Sequence, residues 1–202
     1  MKYSQLLRHA PDWMTHEGPE HDIVITSRVR LARNLRGVSF PGWARKEERV
    51  MIMQGLQPRV EALPQMAECY SEDLGGLDAI RKQVLVEKHL ISREQAAKAS
   101  GSAAVINKEQ TLSIMINEED HLRMQSIRSG LDLRNAHAAL DAVDAGLEQM
   151  VNFAWDENYG YLTACPTNLG TGMRASAMLH LPGLVLCEEM SQVIAGVNKL
   201  GL

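Results

Sequence analysis

Residues 23–33 read Ile-Val-Ile-Thr-Ser-Arg-Val-Arg-Leu-Ala-Arg, and this alternation constrains the fold more than any other stretch of the chain. Arg28 and Arg30 alternate with the apolar Val29 and Leu31, which predicts an extended strand with both arginines on one face. Further strand-like runs lie at 103–106 and 111–116, joined by the polar turn Asn107-Lys108-Glu109-Gln110 as a β-hairpin, and at 161–164 and 173–181. Between them the apolar spacing turns helical. Residues 44–63 carry Val50, Met51, Met53, Leu56 and Val60 as an amphipathic helix, kinked or restarted at Pro58 and ended near Pro64. Residues 77–90, 131–153 (Leu133, Ala136, Leu140, Val143, Leu147, Val151) and 185–197 are predicted helical too. Ser92-Arg93-Glu94-Gln95 has the form of a capping box opening a short helix to Lys98. Strand clusters and long helices in this irregular order predict an α+β fold.

A chain of 202 residues is enough for one ordinary domain or two small ones and buries roughly 70% of its unfolded surface. Apolar residues at 45% and charged residues at 23% exclude disorder and fibrous repeats. Lys and Arg number 21 against 25 Asp and Glu, a net charge of −4, which excludes a basic surface coating nucleic acid but leaves room for a local basic site. Residues 1–20, punctuated by Pro11, Gly18 and Pro19, read as an irregular lead-in or a short helix around Tyr3 to Arg8, with no chemistry assigned to it. No apolar run reaches the roughly 18 residues of a membrane span. Three cysteines, Cys69, Cys165 and Cys187, with no secretory start, predict a reduced, cytoplasmic protein. They lack C-x-x-C pairing, and the seven histidines include no H-E-x-x-H, so no transition-metal site is expected.

Three clusters concentrate chemistry. In Ser27-Arg28-Val29-Arg30-Leu31-Ala32-Arg33, guanidinium forks on one strand face suit phosphate oxygens; the alternative is a solvated face with surface ion pairs. Asn117-Glu118-Glu119-Asp120-His121-Leu122-Arg123 follows an apolar strand and gathers three carboxylates, which either face water as an acidic turn or meet a metal ion or cationic substrate. A carboxylate there could orient a guanidinium and accept its proton, and Arg123 could face phosphate. In Cys165-Pro166-Thr167-Asn168-Leu169-Gly170-Thr171-Gly172-Met173-Arg174, Gly170 and Gly172 permit close approach to an anion, without the Walker lysine pattern, and Cys165 is either a thiolate near a cation or a small buried apolar group.

Taken in this order, the three clusters resemble the ATP:guanido phosphotransferases, the superfamily of creatine and arginine kinases. Details look closest to the bacterial protein-arginine kinase branch: Trp13-Met14 before Glu17-Gly18-Pro19, Asp22-Ile23-Val24-Ile25, Glu87-Lys88-His89-Leu90-Ile91-Ser92, and Arg174-Ala175-Ser176-Ala177-Met178-Leu179-His180-Leu181-Pro182. The resemblance covers nearly the whole chain from about Trp13 and implies a large antiparallel sheet flanked by helices, the glutamine synthetase-like catalytic domain of guanido kinases. It would occupy 21–202 as a partial domain after a lead-in over 1–20. The implied reaction moves the ATP γ-phosphoryl group, with Mg²⁺, to arginine side chains of proteins.

By the same resemblance, Thr26, Ser27, Arg28, Val29 and Arg30 would hold the nucleotide phosphates, with Arg28 and Arg30 as the principal forks. Arg123 and the stretch Arg174, Ala175, Ser176, Ala177 and Met178 would join them, and His89 would lie beside the nucleoside. Glu119 would hold the acceptor guanidinium and act as base, Glu118 and Asp120 would support the Mg²⁺ hydration shell, and Cys165 would sit against the guanidinium as a thiolate. Implied partners are a zinc-binding activator, a heat-shock repressor and proteolytic chaperones, in protein quality control and stress response, with no membrane and no direct nucleic acid. The sequence departs from the pattern at Arg93, where relatives carry proline, and in having only a short segment before Thr26 where small-substrate members carry a helical domain. Family members continue beyond Leu202 into a loop with another phosphate-binding arginine and a second substrate glutamate, and the protein-arginine kinases into a further domain for phosphoarginine binding and dimerisation. The chain is therefore expected to be a truncated gene product, a piece cut from a longer member, or one piece of a split protein. A catalytically impaired nucleotide-binding or adaptor module and a free-guanidine (arginine) kinase remain the alternatives.

Overall fold

The alternating arginine segment forms a ten-residue strand, β1 (Val24–Arg33), in the computed structural model, which describes residues 1–98 and 100–201. It lies inside a six-stranded sheet with β2 (Tyr70–Asp73), β3 (Ala103–Ile106), β4 (Leu112–Ile116), β5 (Leu122–Ser129) and, after a two-stranded ribbon of β6 (Trp155–Asp156) and β7 (Gly160–Tyr161), β8 (Met173–Leu179). The order is β2-β3-β4-β5-β1-β8 and every neighbouring pair is antiparallel. β3, β4 and β5 are a meander whose first turn is closed by Asn107, its Oδ1 accepting from the Thr111 and Leu112 amides at 2.9 and 2.8 Å.

Register decides what each face carries. Val29 and Leu31 of β1 share a face with Leu122 and Met124 of β5, Ile114 and Ile116 of β4, and Ala103 and Val105 of β3. The helices Lys46–Glu61 and Leu133–Glu148 close that face with Met53, Leu56, Val60, Ala136, Leu140, Val143 and Leu147, the main core. Ahead of β1 lie α1 (Tyr3–Arg8) and α2 (Asp12–Thr15); α3 is Lys46–Glu61, α4 Ala79–Glu87, α5 Arg93–Ala96 and α6 Leu133–Glu148. On the opposite face, Leu6, Leu74, Leu77, Leu85 and Leu90 cover Tyr70, Ala104, Ile106 and Met115, so this second layer reaches only β2, β3 and β4. Over β5, β1 and β8 the same face is covered only in part, where Trp13 of α2 is buried near Ile127 of β5.

The chain ends in α7 (Pro182–Leu186) and α8 (Met190–Lys199), neither of which buries a residue. Among the described residues no helix is long and apolar enough to cross a membrane. Residues 1–20 do not stand apart: Leu6 is fully buried, and the Met1 ammonium donates to the Cys69 carbonyl at 2.7 Å. Gly18 and Gly130 let two backbones cross closely, since a Cβ on Gly18 would lie 2.0 Å from the Ser129 carbonyl oxygen.

Several element boundaries differ from the sequence expectation, each because another partner claims the backbone. α3 runs unbroken through Pro58; the carbonyl that loses its donor belongs to Gln54, an exposed residue that water can satisfy. α4 starts at Ala79 because Asp78 caps it, accepting from the Arg81 amide at 2.8 Å, and it stops before a left-handed His89 with φ of 57°. α6 ends at Glu148 because 152–154 pair with the end of β1 through Arg36 N–H to Asn152 O, at 2.9 Å, and Ala154 N–H to Asn34 O, at 2.7 Å. The expected strand at 161–164 keeps only Tyr161, since the Ala164 amide goes to the Asp120 carboxylate at 2.7 Å. The helix expected over 185–197 is two, divided at a left-handed Glu188. Only half of the capping box forms: Ser92 Oγ accepts from the Gln95 amide at 3.0 Å, but the Gln95 side chain turns inward, and α5 stops at Ala96.

Candidate active site

The half-face over β5, β1 and β8 is built by strand register. Arg28 lies opposite Ile127 of β5 and Ser176 of β8; Arg30 lies opposite Gln125 and Arg174; Arg123 lies opposite Ala32. Four guanidinium groups thus rise from three adjacent strands on one face, the strands being about 4.8 Å apart. Among the described residues, Arg28, Arg30 and Arg174 form no ion pair. The Arg30 Nε is buried with no hydrogen-bond partner. Burial, reinforced by the neighbouring Arg28, Arg123 and Arg174, pulls Arg30 down to about 10, and burial with Arg123 and Arg174 lowers Arg28 as well. Half-buried cations that repel one another and lack carboxylates are a receptor for a polyanion.

Two adjoining cavities lie along β1 on this face. The larger, about 210 Å³, is walled by Trp13, Thr26, Arg28, His89, Ile127, Ser176, Ala177 and Met178. Trp13 and His89 meet edge to face with centroids 5.5 Å apart, and the Gln125 amide holds the His89 carbonyl at 2.6 Å. Burial, with Arg28 nearby, lowers the His89 pKa. The smaller cavity, about 80 Å³, is lined by Arg30, Glu119, Asp120, Arg123, Cys165, Thr167, Asn168, Gly172 and Arg174, among others. Flat aromatic walls in one cavity and convergent cations with a carboxylate in the other suit a nucleoside and its phosphates respectively.

The acidic segment is not the solvated turn that its composition allowed. It is a tight connection from β4 to β5, with a left-handed Asn117 and an Asn117 amide bonded to the His121 carbonyl at 3.0 Å. Asn117 Nδ2 donates to the carbonyls of Arg49 and Gly101, both at 2.8 Å. Asn34 buckles the other side, its Nδ2 donating to Asp120 at 2.6 Å and its Oδ1 accepting from the His121 amide at 2.9 Å. His121 Nδ1 accepts from the Leu35 amide, which leaves Nε2 to donate to the Ser39 carbonyl, each at 3.0 Å.

These bonds divide the three carboxylates. Glu118 is 1% exposed and bonded at both oxygens: Oε1 accepts from Arg123 and Ser92, each at 2.6 Å, and Oε2 from the Glu119 amide at 2.7 Å. Two donors fill its Oε1 and it does not line the smaller cavity, so the place expected for it in a Mg²⁺ hydration shell would fall to Oε2, which accepts one bond. Asp120, 2% exposed, gives Oδ1 to Asn34 and the Ala164 amide while bordering the smaller cavity. Glu119 alone is exposed, and burial of its carboxyl edge, with Asp120 and Glu118 beside it, raises its pKa above the ordinary value. Among the described residues no group of three or more His, Cys, Asp or Glu side chains is gathered to hold a metal ion.

Other expected residues sort by strand parity. Ser27, Val29 and Ala175 have side chains on the far face: Ser27 Oγ is engaged by the Gly130 carbonyl and the Asp132 amide, and Val29 belongs to the core. They can offer an anion only backbone. Arg33 also faces away, paired through Nε and Nη2 with Asp144 at 3.0 and 2.6 Å and lying over the Tyr161 ring at 3.5 Å. Cys165 Sγ stands 3.0 Å from Thr167 Oγ1 at the cavity edge. The close approach that Gly172 permits is to β1, where its carbonyl accepts from the Ala32 amide at 2.8 Å. Sequence reasoning placed no chemistry before residue 20 and so missed Trp13; a tryptophan in an otherwise polar lead-in was the available signal. Asn34 and Ser92 gave no chemical signal, because their partners lie 86 and 26 residues away.

Comparison with protein families matches residues 52–202 to "ATP:guanido phosphotransferase, C-terminal catalytic domain". A protein-arginine kinase from Pelotomaculum thermopropionicum is 45% identical over 193 residues, which is 94% of this chain and 54% of that protein. One from Symbiobacterium thermophilum is 42% identical over 208 residues, 100% of this chain and 58% of that protein. The chain therefore spans about half the length of the curated relatives it matches. Among solved structures, the substrate-free duplicated taurocyamine kinase from Schistosoma mansoni is similar over 88% of this chain and 27% of its own, with a TM-score of 0.74 and 27% identity. A lombricine kinase is similar over 88% of this chain and 54% of its own, with a TM-score of 0.69 and 25% identity.

Proposed function

The chain belongs to the ATP:guanido phosphotransferase family, and on that footing we propose that it transfers the γ-phosphoryl group of ATP to a guanidino nitrogen of arginine side chains in proteins. The observation that carries the reading is the set of unpaired arginines on one sheet face, Arg30 and Arg174 at the cavity that Arg123 and Glu119 also line and Arg28 at the neighbouring one. A protein acceptor is favoured over a small guanidino compound because relatives 41–45% identical are named protein-arginine kinases, whereas the solved kinases named for small guanidino compounds stand at 24–27%.

In this reading the nucleoside enters beside Trp13, Thr26 and His89, and the phosphates run along β1 past Arg28 to Arg30, Arg123 and Arg174. Mg²⁺ bound with the nucleotide would supply charge neutralisation on its phosphates. Asp120, at the cavity, would keep capacity toward the Mg²⁺ hydration water, whereas Glu118, behind the cavity lining, orients Arg123. Glu119 receives the acceptor guanidinium, whose pKa above about 12 makes it a poor nucleophile until a proton leaves. The new bond joins the guanidino nitrogen to the γ-phosphorus, the γ-phosphorus–oxygen bond to ADP breaks with its electron pair, and the nitrogen's proton passes to Glu119. The raised pKa of Glu119 makes it a better proton acceptor, and the arginines meet the charge spread over the equatorial oxygens. Cys165, at the same edge, would lie against the acceptor guanidinium. A zinc-binding activator, a heat-shock repressor and proteolytic chaperones remain proposals of the same reading, as does a role in cytoplasmic protein quality control.

The test is incubation with Mg·ATP and an unfolded acceptor protein, followed by mass spectrometry at neutral pH for acid-labile phosphoarginine. Product on the protein but not on free arginine is expected. Product on free arginine alone would replace the acceptor by a small molecule, and nucleotide binding without any product would leave a binding module.

A further inference from the structure

Ser92 lies three residues beyond the left-handed turn at His89, outside both cavities, and its hydroxyl makes two bonds at once. Oγ accepts the Gln95 amide at 3.0 Å, capping α5, and donates to Glu118 Oε1 at 2.6 Å. The same Oε1 accepts from Arg123 Nη1 at 2.6 Å. The rest of the 92–98 segment grips the same turn: Lys98 Nζ donates to the Glu118 carbonyl, and Gln95 Nε2 reaches the carbonyls of Ala103 at 2.9 Å and Ile116 at 3.3 Å. A buried carboxylate held by a hydroxyl, a guanidinium and an amide has one rotamer available to it. Arg123, fixed through one Nη, keeps its remaining donors for the cavity it lines.

We propose that Ser92 is a positioning residue, a hydroxyl that locks the Glu118 side chain and thereby aims the Arg123 guanidinium at the transferring phosphoryl group. The aim of Arg123 is a matter of geometry alone; what it is aimed at rests on the reading of the cavity as a phosphate site. The short helix α5 is then a brace of the active site rather than a surface connector. Its cap and its brace share one atom, which is why the capping pattern looks ordinary in the sequence.

Separating the two roles takes three substitutions. Ser92→Thr keeps acceptor and donor. Ser92→Asp keeps a strong cap but withdraws the donor and sets a like charge against Glu118. Ser92→Gly removes the hydroxyl at a position where glycine is a tolerated cap, so it serves if the aspartate variant melts early. Nitrogen NMR of the arginine side chains, with Arg123 assigned through Arg123→Lys, reads the guanidinium directly, and calorimetry reads Mg·ATP affinity. Expected are a wild-type-like Arg123 signal and affinity in Ser92→Thr, and a motionally averaged signal with about tenfold weaker Mg·ATP binding in Ser92→Asp and Ser92→Gly. An unchanged Arg123 signal in both donor-less variants overturns the proposal, and so does unchanged affinity. Should the wild-type chain bind no Mg·ATP, the nucleotide reading falls, while the NMR comparison still decides whether Ser92 fixes Arg123.

Discussion

At the scale of single residues, the site depends on what each charged group is denied. Arg28 and Arg30 are denied carboxylates, so their donors stay available; Glu118 is denied solvent, so it serves the protein; Glu119 is the carboxylate left exposed at the cavity edge. Glu119→Gln should keep Mg·ATP binding while cutting phosphoarginine formation by about 10²–10⁴, the usual share of a general base. Calorimetry beside a product assay measures both, and equal activity in the variant would remove Glu119 from the mechanism. The pH dependence follows in sign. Glu119 works deprotonated, and burial with two neighbouring carboxylates raises its pKa, so kcat should climb with pH along an acid limb above the ordinary glutamate range. In a pH–rate profile, a limb at or below that range would contradict the role. Arg28 and Arg30 could be read from the sequence because alternation is local. Glu118 could not, since its burial is set by Ser92, which approaches from a different element.

At the scale of elements, the third cluster is held to β1 by Gly172, which also lines the smaller cavity. Gly172 has φ of 66°, and a Cβ there would meet the Ala32 carbonyl oxygen and Arg33 Nη1, each at 2.5 Å. Gly172→Ala should therefore cost about 1–3 kcal/mol and loosen the loop that carries Cys165. Leu140, fully buried on α6, sits beneath the sheet; Leu140→Ala should cost about 2–5 kcal/mol, with Tm falling by about 2–4 °C per kcal/mol. A melting curve checks each, and loss of less than about 0.5 kcal/mol at either position would mean that the packing described is absent. Element identity was legible wherever periodicity was long: β1, the β3–β4 hairpin, α3 and α6 all lie where the pattern put them. Their ends were not, because ends are fixed by distant partners such as the Ala154–Asn34 bond that stops the chain from extending α6.

At the scale of the molecule, one sheet buries its main core on one face, with β8 left exposed at the edge, and is covered in part on the other, where the site lies. The α+β class followed from the irregular order of strand and helix patterns, whereas the strand order did not. Nothing local tells β1 to insert between β5 and β8, and that insertion is what gathers Arg28, Arg30, Arg123 and Arg174 from separate parts of the chain. The lead-in was misjudged for the same reason: the Gly18–Gly130 crossing that brings Trp13 to the cavity links positions 112 residues apart in the chain. On the proposed reading this half-face is the nucleotide phosphate site. Titration calorimetry of Mg·ATP into the wild-type chain and the Arg28→Ala/Arg30→Ala variant, with melting temperatures alongside, tests it most directly. Each charged hydrogen-bonding side chain contributes about 1.5–3 kcal/mol, so the account predicts binding weakened about a hundredfold or more with the fold intact. Equal affinity in the two proteins would contradict it.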